Sequence, residues 1–91
     1  MGLLTLEITL QGARSLKDKR QVVRSLKDRL KARLNVSVAE VGYHDVWQRS
    51  AVAVAAVGVD RANVEAVLAK AETLAAELLG GELSASSVEF L

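Results

Sequence analysis

Residues 35–59, NVSVAEVGYHDVWQRSAVAVAAVGV, hold two strands in succession with no helix between them. Val36 and Val38 alternate with smaller or polar neighbours, and the apolar positions then slip to Val41 and Tyr43. That slip predicts a β-bulge near Ala39–Glu40 in a strand running over 35–44. A short connection around His44–Asp45 leads into a second run that is apolar on both faces from Ala51 to Val57. A strand of that kind belongs in the middle of a sheet.

On the N-terminal side of this pair lies SLKDKRQVVRSLKDRLKARL, residues 15–34. Leu16, Val22, Val23, Leu26, Leu30 and Leu34 recur at helical spacing and define one apolar face. Ser15 suits the N-cap, with Asp18 completing a weaker form of the capping box, and Asn35 suits the stop. Before that helix Leu4, Leu6, Ile8 and Leu10 alternate with Thr5, Glu7 and Thr9, the period of a half-buried strand. On the C-terminal side Asp60 caps a second helix whose Val64, Val67, Leu68, Ala71, Leu74, Leu78 and Leu79 point inward. Gly80–Gly81 end it, and residues 83–91 form a last strand. The order βαββαβ predicts an α+β chain of the ferredoxin-like class: a four-stranded antiparallel sheet with both helices on one face, in a single domain over 1–91.

Composition narrows the function. Ninety-one residues support one hydrophobic core. The absence of cysteine excludes a disulfide framework and cysteine-ligated zinc. The first ten residues lack a basic leader and alternate, so they read as a strand, and no apolar run has the roughly 18 residues of a bilayer span. The expectation is a soluble, cytoplasmic protein with no membrane partner and no cofactor. The net charge of +1 conceals a split. Residues 14–33 carry nine Lys and Arg against Asp18 and Asp28, while the rest of the chain carries three cations against nine carboxylates.

At about 100° per residue, Lys17, Arg20, Arg24, Lys27 and Lys31 fall within a sector of roughly 80° on one flank of the first helix. Such a stripe is suited to tracking phosphates. Five duplex-like contacts would make log K fall with log salt at a slope of about −4 to −5. The competing interpretation is a solvated face neutralised by Glu40, Asp45 or Glu89. A second candidate is the segment around the sole tryptophan, where Trp47, Gln48 and Arg49 could anchor a partner. The alternative for that segment is a connection whose Trp47 covers the edge of the core. His44–Asp45 resembles an orienting pair, yet no Ser or Cys nucleophile is placed by motif, and one histidine makes a thin metal site. No catalytic or metal-binding residues are therefore assigned. RNA-recognition domains share this fold but stack bases on sheet aromatics. The first and third strands here offer Leu, Thr, Glu, Val and Ala instead, which excludes that mode.

The Ser15–Arg20 opening SLKDKR, the strand NVSVAE over 35–40 and the pair Trp47–Gln48 resemble the YlxP-like family of small bacterial proteins, a domain of unknown function, through nearly the whole chain. The resemblance implies the fold derived above. It also implies genes placed beside those of translation initiation and ribosome maturation, and it supplies no catalytic residues. The leading expectation is a non-enzymatic accessory protein that binds ribosomal or other structured RNA through the basic helix. The alternative is a dimeric structural module, or a regulatory module binding a small molecule near Gly12. An acylphosphatase-like hydrolase is disfavoured. The Gln11–Gly12 loop fits that family, but the position of its phosphate-binding arginine holds Leu16.

Overall fold

The computed structural model describes residues 1–91. Its elements are β1 (Gly2–Thr9), α1 (Leu16–Arg33), β2 (Ser37–Gly42), β3 (Arg49–Ala56), α2 (Arg61–Leu79), a 3₁₀ turn over Gly80–Glu82, and β4 (Leu83–Phe90). All neighbouring strands are antiparallel, in the order β2-β3-β1-β4. This is the ferredoxin-like arrangement, with the doubly apolar β3 in the interior of the sheet as expected.

The β1–β3 register places Leu4 opposite Val54 and Leu6 opposite Val52. These four side chains are fully buried and join Leu26 and Leu30 of α1 and Leu68, Ala71 and Ala75 of α2 in one core. The alternate residues of the same strands, among them Thr5, Ala53 and Ala55, therefore line the opposite face of the sheet, which no helix covers. No aromatic residue lies on that face of β1 or β3, in keeping with the exclusion of base stacking on the sheet.

Local chemistry sets the ends of the elements. The Ser15 side chain accepts the Asp18 N–H at 3.1 Å, while Asp18 Oδ2 accepts the Arg14 N–H at 3.0 Å. The box thus closes one residue further out than the usual form. Asp60 accepts the Asn63 N–H at 2.8 Å at the start of α2. Gly80, at φ 56°, turns the chain out of that helix through a conformation that other residues adopt at a cost.

Two details of β2 differ from the sequence expectation. The strand is shorter, Ser37–Gly42 rather than 35–44, and the register shift falls between Glu40 and Gly42, leaving Val41 as the extra residue. The alternation persists through Glu40 because Glu40, opposite Val52, still points to the helical side of the sheet. Its carboxylate finds a partner there. In the sequence, a polar residue in an inward position is indistinguishable from a break in the pattern.

Candidate nucleic-acid interface

The apolar face of α1 packs on β2 and β3, and Val22, Gln21 and Ser25 on one flank border a cleft against Leu78 and Leu79 of α2. The opposite flank therefore faces away from α2, on the side of edge strand β2. Lys17, Arg20, Arg24 and Lys31 are exposed on it, and Lys27 is half-buried. The row from Lys17 to Lys31 is about 21 Å long at ~1.5 Å per residue. Lys17, Arg20, Gln21 and Arg24 enclose a shallow hollow of about 250 Å³ at its N-terminal end.

No carboxylate folds back onto this row. The chain forms two ion pairs, Lys19–Glu40 and Arg61–Glu65, and neither involves a stripe residue. Glu40 is engaged elsewhere, and Asp45 and Glu89 pair with no cation. The five side chains leave their charges to solvent and to whatever binds there.

Lys19 is different from the other eight cations of residues 14–33. It belongs to the same basic segment, yet its side chain is 0% exposed. Its ammonium donates to the carbonyls of Tyr43 at 2.5 Å and His44 at 3.1 Å, and lies 3.1 Å from Glu40 Oε2. The same carboxylate oxygen accepts the Ser50 hydroxyl at 2.6 Å. Ser50 is also fully buried, so every polar group in this pocket has a partner. Sequence analysis includes Lys19 only in the local charge of residues 14–33 and assigns it no face of the helix. A signal was present: Lys19 precedes Val23 by four residues, Leu26 by seven and Leu30 by eleven, in the middle of the apolar face. Glu40 continues the inward series of Val36 and Val38. A cation and a carboxylate on facing apolar surfaces satisfy each other.

The connection after β2 is held by this cluster. Tyr43 adopts φ 61°, the only non-glycine residue with a positive φ. Its carbonyl accepts the Val46 N–H at 3.0 Å as well as the Lys19 ammonium, and the Leu10 N–H donates to the Gln48 carbonyl at 2.8 Å. The Arg49 guanidinium stacks on the Tyr43 ring at 4.2 Å from the centroid. The His44 ring turns back so that Nε2 donates to the Glu40 carbonyl at 3.1 Å, and it makes no bond to Asp45. The suspected orienting pair is thus not assembled. Among the polar neighbours of Trp47, His44 thus bonds to backbone. Trp47 itself, however, is 47% exposed and covers no core edge completely. Gln48 and Arg49 are exposed beside it.

A larger cleft, about 450 Å³, lies between the helices where Gly12 meets Leu78, Leu79 and Glu82. No group of three or more His, Cys, Asp or Glu residues gathers at metal-binding distance, and no helix is long and apolar enough to cross a membrane.

Fold and surface together define a ferredoxin-like α+β domain with an unpaired cationic helix flank and a pinned hairpin tip. Comparison with known proteins gives this class a family. The family model described as "Protein of unknown function (DUF503)" matches residues 1–88. An uncharacterized protein YlxP of Bacillus subtilis (strain 168) is 38% identical over 65 residues, 71% of this chain and 71% of that protein. The chain belongs to the DUF503, YlxP-like family.

Proposed function

We propose that this chain is a non-enzymatic accessory protein that grips the phosphate backbone of structured RNA, ribosomal RNA foremost, with the outer flank of α1. The observation that carries this reading is the row Lys17, Arg20, Arg24, Lys27 and Lys31, in which no side chain is spent on an internal ion pair. Uncommitted cations repeating every three or four residues along a rigid rod can release counterions from a polyanion, and that release drives such binding. Sequence specificity is expected to be low, because phosphate contacts position a protein without reading bases.

The test is the salt dependence of affinity for ribosomal RNA, comparing the native chain with Arg20→Glu/Arg24→Glu/Lys27→Glu, both checked for folding by circular dichroism. The native chain should give a slope of about −4 to −5, and reversal of three contacts should flatten it to about −2 or less. Equal, weak binding by both would return the stripe to a solvated face.

A second reading rests on the cleft beside Gly12. Its volume of about 450 Å³ falls in the range of small-ligand sites, roughly 300–1,000 Å³. Asp18 and Glu82 on its rim favour a neutral or cationic ligand. Melting temperatures that rise with a small amine but stay indifferent to RNA would favour a regulatory module over an RNA-binding one. Failure to hydrolyse a simple acyl phosphate is expected, given Leu16 in place of a guanidinium.

A further inference from the structure

The buried Lys19 and the exposed Trp47 belong to one device. Lys19 leaves α1 from its inner face, between the stripe residues Lys17 and Arg20, and ends on the carbonyls of Tyr43 and His44. It therefore seats the β2–β3 tip against the same half of α1 that begins the cationic row. The backbone of the tip is tied at Tyr43, His44, Val46 and Gln48, and the Arg49 side chain is laid on Tyr43. The apolar side chains that the tip then presents are Val46 at 41% and Trp47 at 47% exposure, with Asp45, Gln48 and Arg49 exposed around them.

Exposing an indole on a loop held this firmly, with a tyrosine kept in the left-handed region, is a local cost that the core does not require. Residues held in sparsely populated backbone regions persist only when their surroundings over-determine them, and they gather where pre-organisation is used. Resting on the reading of α1 as a phosphate-binding flank, we propose that the tip is a second subsite of that surface. In it Trp47 stacks on an unpaired nucleobase of the bound RNA, and Lys19 is the positioning residue that presets the tip. An indole offers a flat face to any base, so the subsite would select unpaired over paired nucleotides without selecting a sequence. The stripe supplies affinity, and the tip supplies a preference for RNA in which helix and loop adjoin.

Trp47 is the only tryptophan, so its fluorescence reports on the tip alone. The full-length chain is titrated with a fluorescein-labelled RNA hairpin carrying an unpaired loop and with a fully paired duplex of equal phosphate count. Binding is followed by anisotropy and stacking by indole quenching. Both RNAs should bind, the hairpin about fivefold or more tighter, and only the hairpin should quench Trp47. Trp47→Leu, an exposed change that leaves the core untouched, should bring the two affinities together. Lys19→Met should abolish the quenching and raise amide exchange over 43–48, and Lys19→Arg should recover part of the quenching.

Binding of the hairpin without any change in indole emission would overturn the stacking subsite while leaving the α1 reading intact. Absence of binding by both RNAs would overturn the α1 reading and this inference with it. Undiminished quenching in folded Lys19→Met would remove Lys19 from the role.

Discussion

The two ion pairs of this chain are nearly equal in length and unequal in everything else. Lys19–Glu40 spans 3.1 Å between side chains 0% and 18% exposed, and Arg61–Glu65 spans 3.3 Å between side chains 71% and 55% exposed. Each stands near an Arg–aromatic stack of the same 4.2 Å, Arg49 on Tyr43 and Arg61 on Phe90. Distance thus says nothing about which pair matters. In the interior, the ammonium has given up water and depends on three protein acceptors. At the surface, both ions keep their water and the contact is incidental. The buried pair is a joint between α1 and the β2–β3 hairpin, and the exposed one links the first and second turns of α2.

The largest effect should come from breaking the buried joint on the acidic side. Glu40→Leu leaves the Lys19 charge sealed in the protein without a counter-charge and deprives Ser50 of its acceptor. Loss of one partner of a buried pair costs about 3–5 kcal/mol. In a chain of this size that is a large share of total stability, which is ordinarily about 5–15 kcal/mol. Urea unfolding followed by circular dichroism should show the midpoint falling sharply.

The reverse deletion should be milder. Lys19→Met removes the buried charge along with its need for a partner, and its flexible chain refills most of the space. Glu40 keeps Ser50 and some access to solvent, the Tyr43 carbonyl keeps the Val46 N–H, and the one orphaned group is the His44 carbonyl. A cost of about 1–3 kcal/mol is expected. The double variant Lys19→Met/Glu40→Leu should be no worse than Glu40→Leu alone, because it no longer contains an uncompensated ion. If Lys19→Met proved the more damaging single change, the packing of the lysine stem would outweigh the charge.

The contrast also explains what the sequence reveals. Apolar periodicity fixes where a chain is buried, so the order of elements, the central place of β3 and the caps at Ser15 and Asp60 are all legible before any coordinates. The stripe is legible too, since helical angle alone groups Lys17 with Arg20, Arg24, Lys27 and Lys31. Lys19 is hidden by its type: a lysine in a run of nine cations reads as solvated, and only its angle among Val23, Leu26 and Leu30 contradicts that. The sequence pattern puts the bulge ahead of Val41 for the matching reason, because Glu40 looks like the end of an inward series that it in fact continues. The left-handed Tyr43 carries no local signal, as neither glycine nor asparagine stands there. Its carbonyl is held by Lys19, twenty-four residues away, a contact that no local pattern announces.

The smallest effect should be found at the surface pair, and it sharpens the comparison by testing its other arm. Arg61 opens α2 and Glu65 follows four residues later, which is the less favourable orientation: the cation sits at the positive end of the helix dipole. The arginine is better accounted for by its stack on Phe90 than by its carboxylate. Replacing Glu65 by alanine also introduces the strongest helix former in place of a partly solvated ion. Glu65→Ala should therefore shift stability by no more than about 0.5 kcal/mol. The ionic part of that shift should vanish in ~1 M salt, where the screening length falls to about 3 Å, and only the helix-propensity part should persist. The same salt should leave the Glu40→Leu deficit largely in place, because ions cannot enter the pocket that seals Lys19. A Glu65→Ala loss approaching that of Glu40→Leu, or a Glu40→Leu deficit that salt erases, would mean that burial does not separate the two pairs.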